Sequence, residues 1–358
     1  MNSKFTKVFD DWKRLEPERN NLKERIEKKF MLDFNYNSNH IEGNTLTYGQ
    51  TELLLLFGKV IGDAKMSDLE EMKAHAVALK MVVEEAVSGQ TPLTETFIRQ
   101  VHKILLREDY EVYRQLPSGA VSSYTVHAGC YKTRPNSVIT RTGERFEYAS
   151  PEETPAMMSD LLRWYNEENK KGELNPIELS TLFHYRYIRI HPFEDGNGRI
   201  ARLMVNFILA RHGYPMVVVP SKSKDVYLNV LNKCDAAVGM FPSDGAYATI
   251  DKVKPFVEYF ETLLINEMKS DISIVTRGKT SQWWYNGELV TFTNENASKI
   301  LEAINSNPKT SIRQISENLG INKSAIQRHL KTLQEKGYLL RVGGNTKEGE
   351  WHITMTKF

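Results

Sequence analysis

The chain has 358 residues, a formal charge of +2, 41% hydrophobic and 26% charged residues. That length allows two or three domains, and the near-balance of charge excludes binding driven by a global field, so charge is read locally. Two cysteines, Cys130 and Cys234, exclude a disulfide framework and fit a reducing compartment.

The opening Met1-Asn2-Ser3-Lys4-Phe5 lacks a signal-peptide core, and no apolar run approaches the ~18 residues of a membrane helix. A cytoplasmic chain with no membrane partner is expected. Glu18 to Asn35 is rich in helix formers, with Pro17 suited to a first turn and Leu22, Ile26, Phe30 and Phe34 at helical spacing. Gly43 and Asn44 then read as a helix end, which leaves Glu42 in a last turn where the macrodipole disfavours an anion. Glu42 is either solvated or paired with a distant cation. Helices are predicted over 48–60, 66–85 and 94–106, the last capped by Thr94.

From 121 to 150 the pattern changes: Tyr124, Val126, Tyr131, Val138 and Ile139 favour strands, and Thr142-Gly143 offers a turn between 138–140 and 145–148. A short hairpin on a helical body is either a clamp for an extended ligand or a surface flap. Helices resume over 151–168 and 177–190, the second opened by Pro176.

That second helix delivers the chain to His191-Pro192-Phe193-Glu194-Asp195-Gly196-Asn197-Gly198-Arg199-Ile200-Ala201-Arg202-Leu203. The glycines let the backbone turn and approach a ligand closely. Free N–H groups and the positive end of the next helix make an anion site. Arg199 and Arg202, three apart, share a helix face and carry forked donors for phosphates. Asp195 beside an anion site suits Mg²⁺, which is held by one or two carboxylates plus substrate phosphates. His191, with an intrinsic pKa near ~6.5, can accept a proton. Each group alone has an ordinary structural reading; the combination points to phosphate transfer.

The stretch matches every defined position of the Fic-family signature H-P-F-x-[D/E]-G-N-G-R-x-x-R, and the resemblance extends over roughly residues 30–265. It implies a mainly α fold: a Fic-type helical bundle with a β-hairpin flap over the nucleotide. It also implies transfer of AMP from ATP to a Ser, Thr or Tyr hydroxyl of a target protein, or of the chain itself. Carried over, His191 is the general base and Asp195 binds Mg²⁺. Gly196, Asn197 and Gly198 hold the α- and β-phosphates, Arg199 the β-phosphate and Arg202 the γ-phosphate, while Phe193 anchors the loop. Thr133 to Ser137 with Val138 and Ile139 resemble the flap, and Tyr227 and Asp235 fall where the family lines the nucleoside pocket. Gly198 is kept, which favours AMP transfer over the phosphate transfer of a branch that departs there. Ser38-x-x-x-Glu42-Gly43 resembles the family's inhibitory-helix motif, in which the glutamate pairs with the second arginine, here Arg202. Self-inhibition is implied. Removal of AMP at the same site stays open, as does a DNA-binding regulator whose Fic-like domain senses nucleotide or a partner.

After a helix over 255–269, Arg277 to Ser281 reads as a connection, and Trp283-Trp284-Tyr285 as a dock for it on a neighbour. Helices over 296–304, 311–319 and 322–336, then strands over 338–342 and 351–353 about a Gly-rich turn, resemble a winged helix-turn-helix domain. Residues 291–358 hold ten Lys/Arg and six Asp/Glu, a net +4. Lys323, Gln327, Arg328 and Lys331 share the exposed side of its third helix, where a recognition helix would meet DNA; protein docking is the competing reading. The expected division is 1–95 N-terminal helices with the inhibitory helix, 96–270 catalytic domain, 271–292 connector and 293–358 winged helix. A homodimer is left open.

Overall fold

The structure, a computed structural model, describes residues 3–89, 91–115, 119, 121–139, 145–276, 283–285, 288–290, 292, 295–342 and 349–357. It forms two compact units, Met1–Ile272 and Ser273–Phe358.

The first unit opens with α1 (Ser3–Arg14), α2 (Glu16–Asn21) and α3 (Lys23–Ile41). The single helix expected over 18–35 is thus two. Leu22 falls between them with ψ 17°, and α3 runs on to Ile41. Next come α4 (Tyr48–Phe57), α5 (Met66–Ser88) and α6 (Glu95–Leu106). Thr47 and Gln50 form a capping box at the start of α4, and Gly58 in the left-handed conformation ends it three residues before the expected stop. Thr94 caps α6 through Phe97 N–H.

Two hairpins follow. β1 (Tyr110–Gln115) pairs antiparallel with β2 (Val121–Val126), and β3 (Val138–Ile139) with β4 (Arg145–Phe146). The first was not expected. The Thr142-Gly143 turn of the second lies outside the described residues.

The centre is α7 (Thr154–Lys171), α8 (Pro176–Ile190) and α9 (Asn197–Arg211). Asn175 and Glu178 close a capping box around Pro176 at the start of α8. In α9, Ile200, Ala201, Leu203, Met204, Val205, Phe207, Ile208 and Leu209 are all fully enclosed. A helix apolar all round belongs at the middle of a core. One face meets Phe30, Phe34 and Leu79 of the N-terminal helices. The other meets Leu231 and Phe256, from α10 (Lys224–Val238) and α12 (Lys254–Thr276), between which lies α11 (Pro242–Ala246). The N-terminal helices therefore share one core with the signature helix.

The second unit holds β5 (Trp283–Tyr285), β6 (Glu288–Leu289), α13 (Glu295–Ser306), α14 (Ile312–Leu319), α15 (Lys323–Glu335), β7 (Leu339–Val342), β8 (Glu350–Ile353) and β9 (Thr356–Lys357). β7 and β8 pair as the wing, and β5 lies between β6 and β9. Trp283, expected as a dock, packs inside this unit's own core with Ile300, Ile315, Ile326 and Leu330. Lys323, Gln327, Arg328 and Lys331 are exposed. Among the described residues no helix is long and apolar enough to cross a membrane.

Candidate active site

The turn from α8 to α9 sets the site. His191 ends α8 in the left-handed region, φ 52° and ψ 60°, with its N–H on Tyr187 O. A β-carbon in that region costs about 1–2 kcal/mol, so the surroundings must hold it. Phe193 is fully enclosed and stacks on the His102 ring at 3.7 Å. Asn197 locks the loop: its Oδ1 accepts from Phe193 N–H at 3.0 Å and its Nδ2 donates to Phe193 O at 2.7 Å. Gly196, at φ 76°, starts α9. The first N–H groups of α9 have no intrahelical acceptor, which makes this end an anion nest.

His102 accepts from Gly129 N–H at Nδ1, so Nε2 carries the proton and donates to Asp195 O at 3.1 Å. Burial pushes this imidazole down to about 4. The Asp195 carboxylate accepts from Gly196 N–H at 2.6 Å, from the Tyr110 hydroxyl at 2.8 Å and from Arg199 Nη2 at 3.3 Å. Burial opposes its ionisation, but Arg199 and these hydrogen bonds hold it below the usual carboxylate range. Arg199 is 4% exposed, and its Nε has no hydrogen-bond partner among the described residues. A buried, unfilled donor beside an anion nest is what a phosphate oxygen would complete.

The His191 ring is stacked by Tyr148 at 4.0 Å, and its Nδ1 donates to Ile188 O at 3.3 Å. That tautomer leaves Nε2 as the acceptor. Burial, helped by the Lys132 cation, pushes His191 down to about 4, so the imidazole is neutral at pH 7.

Arg202 points at α3. Its Nε donates to Ser38 Oγ at 3.0 Å, and its Nη2 to Ser38 O at 2.9 Å and to Glu42 Oε1 at 2.6 Å. The Arg202 side chain is 2% exposed and that of Glu42 38%. Burial raises the Glu42 pKa, but the Arg202 charge and hydrogen bond win and hold it below its ordinary value. A Cβ placed on Gly198 would lie 2.5 Å from Glu42 Oε1 and 3.1 Å from Arg202 Nη1. The carboxylate therefore rests against the nest itself. Behind Ser38 stands His75 of α5, wholly enclosed, with Nδ1 on Asn35 Oδ1 at 2.6 Å and Nε2 on Ser38 Oγ at 3.1 Å. Gly43 follows in open space at φ 104°.

The other expected residues are more scattered. The Tyr227 hydroxyl donates to His184 Nε2 at 2.8 Å and lies close enough to Arg202 to interact with its charge. Asp235 Oδ1 accepts from Tyr185 at 2.7 Å and Arg189 at 3.1 Å. Of Val138 and Ile139 only the backbone pairing is described; their side chains lie outside the described residues. Thr133 reaches the loop, donating from N and Oγ to Glu194. Sequence reading missed Tyr110, His102, His75, Lys132 and Tyr148. No local pattern marks them, because each meets the site through a contact between distant segments.

The fold and site define a helical domain with an anion nest at a helix N-terminus. A family model described as Fic/DOC family matches residues 92–209, and one described as winged helix-turn-helix DNA-binding matches residues 293–339. A Fic domain containing signaling protein from Bacteroides thetaiotaomicron is 52% identical, with a TM-score of 0.72 over 77% of this chain and 97% of that one. The chain belongs to the Fic family. A Fic family protein from Desulfovibrio desulfuricans G20 shares the fold at 20% identity, with a TM-score of 0.54 over 99% of this chain and 97% of that one. The protein adenylyltransferase fic-1 of Caenorhabditis elegans is 30% identical over 224 residues, 63% of this chain. This chain spans only 38% of that relative's length.

Proposed function

We propose that the chain is a protein adenylyltransferase that moves AMP from ATP to a Ser, Thr or Tyr hydroxyl of a target protein or of itself. The observation that carries this reading is the neutral His191, its Nε2 lone pair unused by Nδ1's bond to Ile188, on the same turn as the α9 nest. In the reaction the target hydroxyl oxygen attacks the α-phosphorus, and His191 Nε2 takes the hydroxyl proton. The bond from the α-phosphorus to the bridging oxygen breaks, and pyrophosphate leaves. Arg199 and Arg202 offset the charge of that leaving group. The N–H groups of Asn197 and Gly198 hold the α- and β-phosphates.

Mg²⁺ fits this donor set. Asp195 offers a carboxylate that is 45% exposed at the nest, and phosphates supply the remaining oxygens. Among the described residues no cluster of three or more His, Cys, Asp or Glu would hold a metal alone. When bound beside Asp195, the ion would neutralise charge on the phosphates.

Glu42 sets the resting state in this reading, since it occupies the arginine that the γ-phosphate needs. The working division is 1–95 for regulation, 96–270 for catalysis and 293–358 for DNA; of the expected connector 271–292, residues 283–285 and 288–289 carry β5 and β6 of the second unit. The DNA assignment is supported by the exposed Lys323, Gln327, Arg328 and Lys331 on α15. Incubation of the Glu42→Gly chain with labelled ATP, Mg²⁺ and cell lysate, followed by mass spectrometry, tests the activity: AMP adducts on hydroxyl side chains are expected, and their absence from every protein including the chain itself refutes it. Retention on duplex DNA should weaken as salt rises; indifference to duplex DNA at low salt removes that part.

A further inference from the structure

Lys132 has no part in the scheme above, yet its charge acts on the base and its ammonium bonds the carbonyl of His191. It lies between β2 and β3, is 3% exposed, and uses its three ammonium protons on three neutral oxygens. These are Ile190 O at 3.0 Å, His191 O at 2.8 Å and Asn136 Oδ1 at 3.0 Å. Its backbone N–H donates to Pro192 O at 2.9 Å. Asn136 Nδ2 in turn donates to His191 O at 3.3 Å and Phe193 O at 2.9 Å. All four carbonyls of residues 190–193 are thus bound from one five-residue segment.

Those carbonyls need it. α8 ends at Ile190, so its last carbonyls lose their intrahelical donors. The left-handed turn at His191 then aims the chain away from any further helical partner. An ammonium at a helix C-terminus also meets the negative end of the macrodipole. Burying a cation with no carboxylate partner is costly. Burial pulls Lys132 down to about 7, and only the more distant Glu153 charge opposes it. A bare surface lysine would not be kept in such a place by packing alone.

We propose that Lys132 and Asn136 form a backbone clamp that positions His191 and ties the segment leading into the β3–β4 hairpin to the reacting loop. The inference rests on reading His191 as the base. Both residues act through the main chain and touch no reacting atom, so they are positioning residues.

The experiment is a pH titration of His191 in the full-length chain with ¹³C-labelled histidine, its signal assigned by its loss in His191→Ala. Charges facing the ring come from Lys132, Glu42 and Asp195, with Tyr148 stacked on it. Lys132→Met removes the one cation among them, so the midpoint rises by roughly 0.5–1 from its start near about 4. Lys132→Arg restores most of the difference. Asn136→Ala keeps the buried ammonium and loses two carbonyl contacts. It lowers kcat for AMP transfer roughly 10-fold or more with the KM for ATP unchanged. A His191 midpoint unmoved in Lys132→Met overturns the proposal, as does unchanged kcat in Asn136→Ala. If Lys132→Met does not fold, Asn136→Ala decides alone. If the midpoint moves as expected while no variant or parent transfers AMP, the clamp stands and the adenylyltransferase reading falls.

Discussion

Changing Glu42 to glycine removes one bond and little else. Arg202 keeps its two hydrogen bonds to Ser38 and loses only the 2.6 Å contact with Glu42 Oε1. Glu42 is the αR C-cap of α3 at φ −89°, and Gly43 at φ 104° already supplies the left-handed residue after it, so the substitution leaves the helix end as it is. A hydrogen bond to a charged group contributes about 1.5–3 kcal/mol. Glu42 is 38% exposed, and solvent screening places this bond near the lower end, about 1.5–2 kcal/mol. That corresponds to a factor of roughly 10–30 in the fraction of chains whose Arg202 is open to an incoming phosphate. AMP transfer and ATP affinity are both expected to rise by that factor. ADP lacks the phosphate assigned to Arg202 and gains far less. Labelled-AMP incorporation and calorimetric titrations with ATP and ADP read the two effects. Equal transfer together with an unchanged ratio of ATP to ADP affinity would refute the reasoning.

Three other outcomes follow from the same geometry. His191→Ala abolishes transfer but leaves ATP affinity within about threefold, since its ring touches no nest N–H group; calorimetry showing lost binding would assign it another role. Tyr110→Phe removes one of the two donors on Asp195 Oδ2, leaving the longer 3.3 Å contact from Arg199, a change of about 0.5–1.5 kcal/mol, so the Mg²⁺ concentration for half-maximal transfer falls roughly 2- to 10-fold; an unchanged metal titration counts against Asp195 as the ligand. Glu267 is pushed up to about 7 by burial, with Lys29 opposing. The folded chain therefore holds a proton there that the unfolded chain releases near ~4.3, and stability falls as pH climbs between the two. Glu267→Gln removes this loss, so its melting temperature gains on wild type by the equivalent of roughly 3.5 kcal/mol at pH 8 and about 1 kcal/mol at pH 5. Equal differences at the two pH values would show that the carboxyl ionises freely.

Much of the site was legible because it is local. His191 to Arg202 is one turn between two helices, and every part of it is within reach of a pattern read along the chain. Glu42 was legible as an anion at the wrong end of a helix, although its partner stands 160 residues away. What escaped was long-range. Tyr110 reaches Asp195 across 85 residues, and β1–β2 alternates too weakly to announce a hairpin. The break at Leu22 carries no Gly or Pro at that position. Trp283 reads, with Trp284 and Tyr285, as a dock for a connection on a neighbour, and only the packing of the second unit reveals that it is a core residue.

Arg202 also matters for a reason apart from catalysis. A guanidinium that is 2% exposed has surrendered its hydration and must be answered by an anion of some kind. In the proposed reading, Glu42 and a phosphate are alternative answers to the same need, so the inhibitory contact doubles as a strut of the fold. Releasing Glu42 with no nucleotide to replace it leaves an enclosed cation that loosens the helices around it. Activity and endurance are thus traded through one side chain. In the proposed reading, the Glu42→Gly chain is expected to melt lower than wild type without nucleotide and to recover when ATP is added.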